Sequence, residues 1–110
     1  MKITGYCKFF RNLYIGDSVR NVNKVKWKLK HGAGQLSVYV ITNTTTGNDQ
    51  LEILHCANLK QPYYKEHPAF VYGIANGYSE AMELVMKIAS EASEAGMPGE
   101  LIQYLDKFNK

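Results

Sequence analysis

Residues 36–42 read LSVYVIT, and this short run decides the fold class of the chain. Three of its residues are β-branched aliphatics and one is aromatic, which is the composition of a β-strand. Residues 43–50 are polar or glycine, and apolar residues return in residues 51–56, LEILHC. This order predicts that residues 36–42 and 51–56 pair as an antiparallel hairpin.

Two further strands are predicted on either side of the hairpin. Residues 7–15 are rich in aromatic and branched side chains and stop at the turn Gly16-Asp17-Ser18. Residues 69–75 form a similar run that ends at Asn76-Gly77. Residues 58–68 contain two prolines, and we expect them to be a surface connection.

Two helices are predicted at the carboxyl end. In residues 80–95 the apolar side chains recur at helical spacing, with Ser79 as the expected N-cap and charged residues on the other side. We expect the acidic side chains of this helix to be solvated: Glu80, Glu83, Glu91 and Glu94. Gly96 and Pro98 precede a last helix, whose apolar stripe is Leu101, Tyr104, Leu105 and Phe108.

The stretch from Val19 to Lys30 has two interpretations. Its apolar residues recur at helical spacing, with Ser18 as a candidate N-cap and Gly32 as a stop. Alternatively, Trp27 and its apolar neighbours alternate with four lysines, as in a strand with one lysine face. We favour the helix, because the glycines at 32 and 34 then provide the connection to the next strand.

The predicted order of elements is therefore β-α-β-β-β-α-α. It indicates an α+β fold in which helices pack on one face of a mostly antiparallel sheet of about four strands. The length of 110 residues is that of a single domain, residues 1–110, because two cores would each be too small.

The composition is that of a globular chain, with 45% apolar and 21% charged residues. No apolar stretch approaches the length of a membrane span, and Lys2 and Lys8 interrupt the stretch where a signal peptide would be apolar. We therefore expect a cytoplasmic protein without membrane association. Its two cysteines, Cys7 and Cys56, are expected to be reduced thiols.

Charge is distributed unevenly around a formal net charge of +3. Residues 1–65 carry ten lysines and arginines against three acids, whereas residues 66–110 carry three against seven. The candidate nucleic-acid-binding residues are basic or aromatic, as phosphate contact and base stacking require: Lys24, Lys26, Trp27, Lys28, Lys30, Tyr63 and Tyr64. On a helix these lysines step by about 200° and do not form one stripe, so we expect no binding at physiological salt.

No catalytic or metal-binding set is predicted. The turn Gly16-Asp17-Ser18 resembles the nucleophile turn of GDSL-type hydrolases, but no histidine has the aspartate three residues before it that such enzymes use. The cysteines and histidines lack the paired spacing of a zinc site. The segment His31-Gly32-Ala33-Gly34 matches no phosphate-binding motif, so we expect no cofactor.

Five short segments carry a resemblance that covers roughly residues 13–95. They are residues 26–29 (KWKL), 36–42 (LSVYVIT), 61–64 (QPYY), 71–75 (VYGIA) and 80–85 (EAMELV). With these segments the chain resembles a group of small bacterial cytoplasmic proteins that have no assigned activity. The resemblance implies a standalone bacterial protein and transfers no site.

Three functions remain open. The first is a non-enzymatic binding or assembly protein, which acts through a protein partner or a second copy of itself. The alternative is a nucleic-acid-binding domain that uses residues 24–30, and a small hydrolase ranks last. An exposed Trp27 or Tyr63 beside a continuous basic face would favour nucleic acid, whereas a buried Trp27 among scattered lysines would favour the first function.

Overall fold

The computed structural model describes residues 7–31, 37–43, 51–60, 62–67 and 69–107. The strands in these ranges are β1 (Cys7–Ile15), β2 (Val38–Asn43), β3 (Leu51–His55) and β4 (Ala69–Asn76). The α-helices are α1 (Val22–His31), α2 (Pro62–Glu66), α3 (Tyr78–Glu94) and α4 (Leu101–Lys107), with a 3₁₀ helix at Cys56–Lys60. The predicted α+β class is confirmed.

The described strands form one sheet in the order β1-β4-β2-β3. The predicted hairpin is confirmed, since β2 and β3 pair antiparallel with Ile41 opposite Ile53. β4 also pairs antiparallel with β2, but it runs parallel to β1, with Cys7 opposite Ala69. The sheet is therefore mixed, and β4, which has a neighbour on each side, is buried along most of its length.

Helices cover both faces of the sheet, which differs from the prediction of one covered face. Alternation along β2 separates the faces, because Val38 and Val40 pack with Leu29 of α1 while Ile41 packs with Leu84 of α3. Helix α4 joins α3 on the second face through Leu101 and Leu105, which share a cluster with Ile88.

Most of the described side chains in the predicted surface connection, residues 58–68, are exposed, but two of them are buried in the core. Leu59 of the 3₁₀ helix and Tyr64 of α2 are buried in the same cluster as Leu29, on the first face. The physical reason is that these two side chains have apolar surface to bury, and Pro62 suits the first position of a helix. This segment and α1 thus complete the first layer.

The helix predicted within residues 19–30 is confirmed, although it begins later, at Val22, and Ser18 does not cap it. Asn21, at φ 52°, precedes α1, and its carbonyl accepts a hydrogen bond from Lys24 N at 3.0 Å. The prediction of Ser79 as N-cap is also wrong, because α3 begins at Tyr78 after Gly77, whose φ of 107° favours glycine. The predicted roles of Gly32, Phe108 and the polar loop 44–50 lie outside the described residues.

The two cysteines lie at opposite edges of the sheet. Cys7 begins β1 and Cys56 directly follows β3, so three inter-strand spacings, about 14 Å, separate their strands. A disulfide needs Cα atoms closer than about 7 Å. Both side chains are buried and no disulfide joins them.

Within the described ranges, no helix has the length and apolar composition needed to cross a bilayer.

The packing of α3 generates a stability prediction. Ile88 is fully buried and Leu84 is 8% exposed, so we expect Ile88→Ala and Leu84→Ala each to lower the free energy of unfolding by about 2–5 kcal/mol. Glu83→Ala on the same helix is the control, because Glu83 is exposed and its truncation should cost less than about 0.5 kcal/mol. Urea denaturation measures the three values. Losses below about 1 kcal/mol for both core variants would show that this face of α3 is not packed.

Candidate functional site

Helix α1 carries no acidic residue in its sequence, VNKVKWKLKH. Its apolar side holds it on the sheet, because Leu29 is buried in the first-face cluster and Val25 packs partly buried against it. The opposite side faces solvent, as Trp27 shows with an exposed fraction of 57%. An exposed tryptophan thus lies on a helix whose charged residues are all basic.

The four lysines of α1 form two pairs. Lys24 and Lys28 are one turn apart, and so are Lys26 and Lys30, since four residues bring a side chain back to within about 40° on a helix. At 100° per residue, Trp27 falls between the two pairs on the arc that faces solvent, roughly 60–100° from each. The lysines are spread around the helix as expected, and the two pairs border the exposed tryptophan on both sides.

Trp27 is held in place by His31 on the following turn. The two rings stack with their centroids 4.3 Å apart and an interplanar angle of 22°. His31 Nδ1 also lies 2.8 Å from the carbonyl oxygen of Trp27. The histidine covers one face of the indole, so the other face is the one that a further ring can stack on.

The pair Lys26 and Lys30 lies toward β1. The Lys26 Nζ atom is 5.2 Å from the centroid of the Phe9 ring, within range of a cation–π interaction. Burial raises the pKa of the Cys7 thiol from 9.0 to about 11, and the nearby charge of Lys30 partly opposes this shift. Cys7 is therefore a protonated core residue at neutral pH and a weak nucleophile.

The predicted tyrosines lie on α2, which covers the same sheet face as α1. Tyr63 is 48% exposed and stacks on His67, with centroids 4.6 Å apart, so it repeats the aromatic–histidine pairing of Trp27 and His31. Tyr64 is 8% exposed, and burial raises its pKa. The structure thus brings the five α1 residues together, places Tyr63 on a separate helix, and makes Tyr64 a core residue.

The turn that resembles a hydrolase nucleophile has a carboxylate as its partner. Ser18 Oγ donates to Glu80 Oε2 at 2.7 Å, and Ser18 N donates to the same oxygen at 3.0 Å. Asn76 N donates to Glu80 Oε1 at 2.7 Å. Glu80 is therefore partly exposed but not simply a solvated charge as predicted, because its carboxylate accepts three hydrogen bonds from the turn after β1 and from the end of β4.

The same contact depends on Gly16, because a side chain there would displace the end of the Glu80 side chain. A Cβ built on Gly16 would lie 2.1 Å from Glu80 Oε1, which is far inside van der Waals contact. Desolvation acts to raise the pKa of the Glu80 carboxyl, but the hydrogen bonds from Asn76 and Ser18 outweigh it and the pKa lies below its ordinary value. The carboxylate is therefore charged across the neutral range.

Glu91 is a second acid of α3 that is not simply solvated. Its Oε1 atom accepts hydrogen bonds from Tyr14 at 2.5 Å and from Tyr104 at 3.2 Å. Burial, and then the contact with Glu91, raise the pKa of Tyr14 well above its usual range. This cluster ties β1 and α4 to α3, whereas Glu83 and Glu94 are exposed as predicted.

The part of the chain that the structure describes contains no group of three histidine, cysteine or acidic residues that could hold a metal ion. The chain was compared with family models, curated proteins and solved structures, and no match was found in any of the three.

The hydrogen bonds of Glu80 predict a pH-dependent contribution to stability. Because its folded-state pKa is depressed, this contribution is present above the ordinary value of 4.5 and is lost as the pH falls through the folded-state value. We expect Glu80→Gln to lower the free energy of unfolding at pH 7 by about 1–2 kcal/mol, since the amide keeps one acceptor and the carboxylate is partly exposed.

Denaturation of both proteins at pH 7 and in the acid range measures this effect, with Glu83→Gln as an exposed control on the same helix. The difference between the natural protein and the Glu80 variant should shrink at acid pH. A difference that stays constant with pH would show that the charge of Glu80 contributes nothing.

Proposed function

We propose that the protein is a non-enzymatic binding protein and that the solvent-facing side of α1 binds single-stranded nucleic acid. One observation carries this proposal: Trp27 is 57% exposed and is bordered by lysine pairs on a helix without acidic residues. Lysines neutralise phosphates, and an exposed indole provides a surface on which a base stacks.

The arrangement of the lysines around Trp27 supports this function. Lysines spread around a helix do not form one stripe, but two pairs that flank an exposed tryptophan both border the solvent-facing arc. A strand that crosses α1 can place a base on Trp27 and phosphates beside Lys24 and Lys28 on one side and Lys30 on the other. Lys26 is partly engaged with Phe9.

Single strands fit better than duplexes because the contact depends on stacking. His31 stacks on one face of the Trp27 ring, so a base would stack on the opposite face. The bases of a duplex already stack on each other, so their faces are not accessible to a side chain. Tyr63, on the same sheet face, offers a second exposed ring.

The non-enzymatic part of the proposal is supported by the state of Ser18, whose hydroxyl is bound to Glu80 rather than to a histidine base. We also propose a bacterial cytoplasmic location, which the resemblance to small bacterial proteins implies. Two buried cysteines without a disulfide fit a reducing compartment.

Salt dependence of binding to a labelled oligothymidylate tests the proposal. We expect micromolar affinity at low salt and a linear fall of log K with log salt, because phosphate contacts release counterions. The double variant Lys24→Ala, Lys28→Ala should reduce the magnitude of this slope by about 1.4, or about 0.7 for each lysine. Trp27→Ala should weaken binding roughly 5- to 150-fold at fixed salt, the equivalent of losing one stacked base.

Matched variants on the other sheet face are the controls. Lys87→Ala, Lys107→Ala removes the same charge from α3 and α4, and Tyr78→Ala removes a ring that is 54% exposed. These variants should leave the slope and the affinity unchanged. Equal losses in the test and control variants would refute a site on α1.

Assembly is a second candidate function, favoured by a separate surface. Tyr78, Met82 and Met86 recur every fourth residue along α3, and their exposed fractions are 54%, 42% and 66%. Side chains four residues apart lie on one side of a helix, so these three form an exposed apolar stripe. Such stripes are typical of contacts between protein surfaces.

Sedimentation equilibrium tests assembly. If the stripe joins two copies, the natural protein should sediment as a dimer, and Met86→Glu should dissociate it because a charge would be buried at the contact. A matched change at exposed Glu83, Glu83→Gln, should leave the dimer intact. A monomer at all accessible concentrations would exclude self-assembly through this stripe.

A further inference from the structure

After the parallel strands β1 and β4, the chain continues to opposite faces of the sheet. Both strands have their carboxyl ends at the same edge of the sheet, where Ile15 is opposite Ile74. From there β1 leads to α1 on the first face, and β4 leads to α3 on the second face. In open sheets, the crevice between two such diverging connections is the usual place for a bound ligand.

The crevice contains a pocket of about 250 Å³ on the α1 side. The residues that line it come from the turn before α1, from α1 itself and from the adjoining strand ends; they are Ser18, Val19, Arg20, Val25, Val38 and Asn76. Glu80 binds two of these lining residues, because its carboxylate accepts hydrogen bonds from Ser18 and from the backbone N–H of Asn76. The wall of the pocket is therefore fixed by hydrogen bonds.

The lining combines one cation with apolar surface. Among the described residues that line the pocket, Arg20 is the charged one, and three valines supply the apolar surface. A guanidinium group pairs with a carboxylate through two parallel hydrogen bonds. The pocket is smaller than the roughly 300–1,000 Å³ of sites for drug-sized ligands, so it fits a small molecule.

We propose that this pocket binds a small carboxylate with a short apolar body. The carboxylate pairs with Arg20, and the apolar body packs against Val19, Val25 and Val38. The site is independent of the proposed nucleic-acid surface, because Val25 lies on the sheet-facing side of α1 and Trp27 on the solvent-facing side.

Backbone amide shifts of isotope-labelled protein, titrated with butanoate, 3-methylbutanoate and 4-methylpentanoate, test the proposal. We expect saturable shifts centred on the amides of Val19, Val25, Val38 and Asn76 for at least one of these probes. The matched neutral amide, 3-methylbutanamide, should bind about tenfold more weakly or worse, because it cannot form the charged pair.

Variants separate this site from the rest of the protein. Arg20→Gln should weaken carboxylate binding by about tenfold or more, whereas Arg11→Gln, at an exposed position on β1, should leave it unchanged. Trp27→Ala should also leave it unchanged, whatever its effect on nucleic acid. The proposal is overturned if none of the three carboxylates shifts these amides, or if the Arg20 variant binds as tightly as the natural protein.

Discussion

The parallel pairing of β1 with β4 is the constraint on which the arrangement of the elements depends, and the Glu80 carboxylate supports it. This carboxylate joins the turn after β1 to the end of β4 at the point where the chain leaves the sheet toward opposite faces. Parallel neighbours cannot be joined by a short hairpin, so their relative position relies on contacts between distant segments. Glu80 provides such a contact across 62 residues, and Gly16 makes room for it.

The geometry of both candidate sites depends on this junction. Three residues separate the turn that Glu80 fixes from α1, and the sheet-facing side of α1 is set by Leu29 and Val25. Trp27 consequently faces solvent, and the pocket forms between the turn and the strand ends. The geometry of the proposed binding surface and that of the pocket thus both follow from how one strand end is anchored.

The hairpin and the long helix could be predicted because their signals are local. Branched residues on both sides of a polar loop indicate β2 and β3, and the spacing of Ala81, Leu84 and Ile88 indicates α3. The parallel pairing of β1 with β4 could not be predicted, since strand order depends on contacts between distant residues. The role of Glu80 could not be predicted for the same reason. Helix α2 was not predicted because the two prolines of residues 58–68 indicate a surface connection, whereas Leu59 and Tyr64 pack in the core.

The proposed function depends on Trp27 as the ring on which a base stacks. Trp27 is the only tryptophan in the chain, so the intrinsic indole fluorescence reports on this residue alone. The most direct measurement is a titration of that fluorescence with unlabelled oligothymidylate. If Trp27 stacks on a base, we expect saturable quenching at low salt that is reversed when salt is added. Fluorescence that does not change at low salt, while the protein remains folded, would contradict this proposal.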